Sequence, residues 1–99
     1  RDFVHVEDII GITKFFIDNP TQSGIYNCGI GRANSFQDIA DIFVEKYNCD
    51  IEYIDMPQKL IGKYQEFTRS DNNKIYKRTR LDLRKGVLKY IEFLEQVWK

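Results

Sequence analysis

The stretch Ile25-Tyr26-Asn27-Cys28-Gly29-Ile30-Gly31-Arg32-Ala33-Asn34-Ser35 decides the fold class. Ile25 to Cys28 reads as a short apolar strand, and Gly29-Ile30-Gly31 turns the chain. Ser35 with Asp38 forms a capping box, Asp standing in for the usual Glu. The helix this opens places Phe36, Ile39, Ala40, Phe43 and Tyr47 on one stripe at helical spacing. A strand, a glycine turn and an amphipathic helix in that order indicate an α/β chain.

The pattern extends both ways. On the N-terminal side, Phe3 to Val6 reads as a strand. Asp8 is placed to cap a helix over Ile9–Asp18, which Asn19-Pro20 ends. Ile9, Ile10, Ile12, Phe15, Phe16 and Ile17 make this helix apolar on more than one side, the pattern of a helix buried on two faces. On the C-terminal side, Ile51 to Ile54 is the third strand, closed by Asp55-Met56-Pro57. Residues 58–80 are polar and basic, a loop with one short helix near Ser70–Tyr76. Asp82 caps a last helix whose inner face is Leu83, Val87, Leu88, Ile91, Leu94 and Trp98, with Gly86 inside it. The expectation is a single domain, 1–99, of about three short strands and three main helices.

Ninety-nine residues support one domain with a small core. With 42% hydrophobic and 30% charged residues the chain has the composition of a folded globular protein, not a disordered one. No apolar run approaches the roughly 20 residues of a membrane helix, and no signal peptide opens the chain. The first residue is Arg1, without an initiator methionine, so a piece of a longer protein is expected. Cys28 and Cys49 form no disulfide framework or metal spacing, which points to a reducing, cytoplasmic compartment. Net charge is zero but unevenly spread. Residues 1–57 carry four basic and ten acidic side chains, and residues 58–99 carry eleven and five. Such asymmetry fits halves that face each other or a partner, and also an anion-binding face.

Several motifs carry two readings. Gly29-Ile30-Gly31-Arg32-Ala33-Asn34 mimics a dinucleotide-binding turn, with Asp55 ending a later strand. Asn34 stands where the third glycine belongs, and Ser35 occupies the helix cap. The lone His5 lacks the companions a zinc site needs, and reads as a surface or supporting residue. No Gly-x-Ser-x-Gly nucleophile turn occurs. The carboxylate pairs Glu7/Asp8 and Asp38/Asp41 sit at helix starts, where capping accounts for them. Lys74, Lys77, Arg78, Arg80, Arg84 and Lys85 read as a solvated basic face in preference to a phosphate-contacting patch, since only Tyr76 lies nearby for stacking. Gly62-Lys63-Tyr64-Gln65 offers a cation, a phenol and an amide. That set suits a hydroxylated, anionic ligand, and it is equally an ordinary loop with a packed tyrosine.

Taken together, the segments resemble the C-terminal third of the extended short-chain dehydrogenase/reductase superfamily. Arg1-Asp2-Phe3-Val4-His5-Val6-x-Asp8 is similar to its strand and helix start. Tyr26-Asn27-Cys28-Gly29-Ile30-Gly31 followed by Ser35 is similar to its second turn. Within the superfamily, Ile51-Glu52-Tyr53-Ile54-x-Met56-Pro57-x-Lys59-Leu60-x-Gly62-Lys63-Tyr64-Gln65-x-Phe67-Thr68-x-x-Asp71 resembles a nucleotide-sugar epimerase, as does Gly86-Val87-x-x-Tyr90-x-x-x-Leu94. The sequence departs from the family at Lys63, where Arg is usual, and in a shortened stretch from Asn72 to Arg80.

The resemblance implies a C-terminal substrate-binding portion without a complete Rossmann domain. It also implies that Arg1 and Tyr64 contact the substrate, an ADP-sugar, with Lys63 and Gln65 as second-rank contacts. NADP is then the cofactor, bound by an N-terminal domain outside this chain. The remaining partners implied are the rest of the enzyme and further copies of it, with no nucleic acid and no membrane. The family's Tyr-x-x-x-Lys acid/base pair is absent: Tyr26, Tyr47, Tyr53, Tyr64, Tyr76 and Tyr90 are followed four residues later by Ile30, Ile51, Pro57, Thr68, Arg80 and Leu94. No catalytic and no metal-ligating residue is assigned. The alternatives are another nucleotide-sugar epimerase or dehydratase, a stand-alone sugar-nucleotide-binding module, and a basic-faced nucleic-acid binder.

Overall fold

A computed structural model describes residues 1–74 and 79–98. Three α-helices carry it: α1 (Val6–Asp18), α2 (Phe36–Tyr47) and α3 (Leu83–Val97). Two short 3-10 turns lie at Pro20–Gln22 and Gln58–Leu60.

The helix boundaries follow from local chemistry. Ser35 Oγ accepts from the Asp38 amide while Asp38 Oδ2 accepts from the Ser35 amide, closing the expected capping box. Asn48 ends α2 in the left-handed region, φ 52°, with its amide on the Val44 carbonyl. Asp82 caps α3 by accepting from the Lys85 amide. Helix α1 stops before Asn19-Pro20, and the Asn19 side-chain amide donates to the Phe15 carbonyl.

The start of α1 corrects the sequence expectation. His5, not Asp8, is the cap: its Nδ1 accepts from the Glu7 amide at 3.0 Å, and the helix begins three residues early. Asp8 is buried instead. Its two carboxylate oxygens accept from the amides of Arg80 (2.9 Å) and Leu81 (3.1 Å). A buried carboxylate needs such donors to stay charged, and here they fix the approach to α3 against the first turn of α1. Glu7 adds an ion pair to Lys89 at 2.6 Å.

None of the three expected strands forms among the described residues. A strand exists only through a hydrogen-bonded neighbour. Residues 3–6, 25–28 and 51–54 find no ladder here, and Ile25 is 90% exposed. Arg1 and Asn34 do exchange both backbone hydrogen bonds, each at 2.8 Å, the sole seed of pairing at that edge. Of the expected helix near Ser70–Tyr76, residues 70–72 are not helical, residues 73–74 form a turn, and the remainder lies outside the described residues.

Among the described residues the buried apolar core is Ile12, Ile42 and Ile91, one from each helix. Ile42 lies off the stripe expected for α2, because α2 turns that side toward α3. Two polar contacts clamp the same pair of helices. Arg84 binds Glu45 through both guanidinium nitrogens at 2.7 and 2.8 Å, and Tyr47 Oη donates to Glu95 at 2.5 Å. The bond from Arg84 and its charge lower the Glu45 carboxyl below its ordinary range. Donation to Glu95 raises the Tyr47 phenol. Trp98, expected on the inner face of α3, is instead the residue that caps its C-terminus, and it is 81% exposed.

Helix α1 buries one side only. Val6, Ile10 and Ile17 form an open apolar stripe along the other, so burial on two faces is not realised within this chain. The radius of gyration, 16.4 Å, exceeds the ~13 Å of a compact chain of this length. The molecule is a flat arrangement of helices with a thin core.

Two glycines separate close approach from free space. A Cβ at Gly29 would stand 2.6 Å from Asp2 Oδ2 and 2.7 Å from the Ser70 Cβ. One at Gly86 would meet the His5 Cβ at an ordinary 3.5 Å. Gly29→Ala is therefore expected to destabilise by about 1–3 kcal/mol. Gly86→Ala is expected to stabilise by roughly 0.5–1 kcal/mol, because a mid-helix glycine gives way to the best helix former. Urea midpoints of the two variants check the pair, and a shift of the same sign in both contradicts it.

Candidate functional site

The site is assembled around Asp2. Its Oδ1 accepts from the Ile30 amide (2.9 Å), and its Oδ2 from the amides of Gly31 (2.9 Å) and Ser70 (2.8 Å). Its own amide donates to Thr68 Oγ1 at 3.0 Å. Asn72 closes the ring: its side-chain amide donates to the Gly29 carbonyl, and its Oδ1 accepts from Ser70 Oγ. Three segments far apart in sequence, 1–2, 29–34 and 68–72, are thereby held at one point. Gly29 is buried there because no side chain fits between Asp2 and Ser70.

This knot sets Arg1 beside Tyr64, 63 residues away. The Arg1 guanidinium carbon lies 4.7 Å from the centre of the Tyr64 ring, and Arg1 Nε donates to Tyr64 Oη at 3.4 Å. The cation rests on the negative face of the ring, while its Nη groups carry no hydrogen bond to the described residues. A planar fork with free N–H groups matches a phosphate or diphosphate. Tyr64 is in turn flanked by Phe36 (6.4 Å between ring centres), and Phe36 by Phe3 edge-on at 5.4 Å. Lys63 and Gln65 are exposed on either side of Tyr64, on a turn that Gly62 makes at φ 75°. The structure thus brings together the two residues expected to contact substrate and leaves Lys63 and Gln65 at the rim.

The glycine turn is not available to a dinucleotide. Such a turn must offer free amides to a pyrophosphate, and the Ile30 and Gly31 amides are both taken by the Asp2 carboxylate. A phosphate placed there would also meet a fixed negative charge. The residues present do not fit NADP.

Other residues singled out in the sequence take structural roles. Of the basic run, Arg84 is neutralised by Glu45, Lys74, Arg80 and Lys85 are exposed, and Lys77, Arg78 and Tyr76 lie outside the described residues. Arg80, Arg84 and Arg32 rim a cleft of about 700 Å³ beside the glycine turn. His5 is a helix cap. Cys28 is half-buried, and its thiol is pushed up by burial and then by Asp8 and Asp2, which makes it a poor nucleophile. Among the described residues no group of His, Cys, Asp and Glu could hold a metal ion, and no helix is long and apolar enough to cross a membrane. Two participants escaped sequence reasoning. Asp2 left no local trace, since its donors lie 28 to 68 residues away. Phe36 was assigned to the core stripe of α2, but is 58% exposed.

An arginine and a tyrosine brought together across 63 residues invite comparison with known proteins. No sequence-family model matches the chain. The chain is similar to ADP-L-glycero-D-manno-heptose-6-epimerase. It is 44% identical to the protein of that name from Brachyspira hyodysenteriae over 101 residues, a match that takes in 97% of this chain. The chain spans about a third, 32%, of that epimerase's length. A match of that extent takes in the Gly29–Asn34 turn, Tyr64 and residues 68–72.

The knot makes a direct expectation. Asp2→Ala strips the acceptor from the Ile30, Gly31 and Ser70 amides and is expected to cost about 2–3 kcal/mol, the range for hydrogen bonds to a charged group that is partly solvated. Equilibrium urea unfolding reads this, and a loss under about 0.5 kcal/mol, the scale of an ordinary surface substitution, contradicts it.

Proposed function

We propose that this chain is the C-terminal, substrate-holding portion of an ADP-glycero-manno-heptose 6-epimerase. The observation that carries the reading is the Arg1–Tyr64 pair: a guanidinium stacked on a phenol, N–H groups unspent, in a chain 44% identical to an epimerase of that name. In this role Arg1 binds the diphosphate or sugar oxygens of the ADP-heptose. Tyr64 holds the guanidinium in place and presents its hydroxyl to the substrate, and Lys63 and Gln65 add contacts at the rim. Holding the reacting sugar in one orientation is itself a large part of catalysis.

On this reading the NADP-dependent oxidation and reduction at C6 of the heptose belong to the part of the enzyme outside this chain. That division is supported from within: no Tyr-x-x-x-Lys occurs in the 99 residues, and the Gly29–Gly31 turn is filled by Asp2. The open apolar stripe of α1 and the unpaired segments 25–28 and 51–54 support it too, as surfaces that a larger enzyme would cover. Assembly of that enzyme into a homo-oligomer and a cytoplasmic location complete the proposal.

The test is kinetic. In the full-length epimerase, Arg1→Ala is expected to lower kcat/KM by 10-fold or more, and Tyr64→Phe by less, because the ring that supports the guanidinium remains. Unchanged kcat/KM in both variants removes the assignment. The 99-residue chain with NADP and ADP-heptose is expected to show no turnover, and measurable epimerisation by it alone sinks the division of labour.

A further inference from the structure

Phe36 is the first residue of α2, held by the Ser35/Asp38 capping box, yet its ring is 58% exposed. A large aromatic ring at a rigid helix start is usually spent on packing. This one is supported from below and left open above. Phe3 props it edge-on at 5.4 Å, and Tyr64 stands 6.4 Å away at 40°, under the Arg1 guanidinium. Rings and cation therefore form one continuous surface: a cation suited to phosphate at one end, an exposed aromatic shelf at the other.

The geometry points to Phe36 as the platform on which the base of a nucleoside diphosphate stacks, one ring's width from the arginine that holds the diphosphate. This rests on the assignment of Arg1 and Tyr64 as substrate contacts, and adds to it the end of the ligand that neither residue reaches. A purine offers a flat π-face that any exposed aromatic accepts without directional hydrogen bonds, and one such stack is worth about 1–3 kcal/mol by alanine substitution. The shelf is preorganised: backbone capping fixes the start of α2, and Phe3 limits rotation of the ring, so little ordering cost falls on binding.

Calorimetric titration of the full-length epimerase, its NADP site saturated, with ADP and, separately, with inorganic pyrophosphate isolates the base. Phe36→Ala is expected to weaken ADP about 10-fold and leave pyrophosphate unchanged, with Phe36→Trp restoring ADP affinity. Arg1→Ala is expected to weaken both ligands. Equal weakening of both ligands by Phe36→Ala would mean that Phe36 only props Tyr64, and would overturn the stack. So would an ADP affinity that ignores Phe36→Ala while Arg1→Ala still weakens both; the Arg1–Tyr64 reading would survive that result. Affinities untouched by Arg1→Ala, or no binding of ADP by the unaltered full-length enzyme, would overturn both. Helical circular dichroism of Phe36→Ala and of the bulkier Phe36→Leu establishes that a lost affinity is not a lost fold.

Discussion

Everything near the candidate site depends on one carboxylate. Asp2 gathers the amides of Ile30, Gly31 and Ser70, and thereby fastens three segments that share no helix and no sheet. A negative charge surrounded by backbone donors is a strong organiser, because each bond is charge-assisted and none can be replaced by water without opening the turn. Gly29 is the geometric condition for this arrangement, since any side chain there would occupy the space of the carboxylate. Asp8, six residues on, repeats the device, holding the Arg80 and Leu81 amides against the start of α1.

The same carboxylate settles what the glycine turn is for. A strand-like segment, two glycines and a helix suggest a phosphate cradle, and the backbone does form an anion-binding concavity. The anion is internal. The turn is a structural clasp, and its function is to place Arg1 against Tyr64. Binding capacity moves from the amides of the turn, which are spent, to the guanidinium, whose Nη groups are not. A cation, a phenol and an exposed ring lie next to one another beside this clasp.

The helices were legible in the sequence because their signals are local. Ser35 with Asp38, Asp82 with Lys85, and Asn19 before Pro20 all act within a few residues. What failed was long-range. The three strands were expected from apolar segments, but a strand also needs a neighbour; none forms among the described residues, and Val6 already belongs to α1. Asp8 was a sound cap by propensity. It lost that role to His5 because two amides more than 70 residues away needed an acceptor. Ile42 is the one buried residue of α2 although it lies off the expected stripe, of which Ile39, Ala40 and Phe43 are half-buried and Tyr47 reaches Glu95 of α3. For the site, resemblance supplied Arg1 and Tyr64, and residue chemistry alone left the Tyr64 loop undecided. Neither supplied Asp2 or Phe36, whose roles exist only once distant segments meet.

We propose that this chain meets its ligand through Arg1 and Tyr64, with the Gly29–Gly31 turn closed by Asp2. Amide and guanidinium NMR signals of the 99-residue chain, followed as ADP-L-glycero-D-manno-heptose and then NADP are added separately, test it directly. The account expects the Arg1 Nε–H and the Tyr64 amide to shift with the ADP-sugar, and the Ile30 and Gly31 amides to hold still with NADP. Movement of Ile30 and Gly31 on adding NADP, with Arg1 and Tyr64 unmoved by the ADP-sugar, would contradict it.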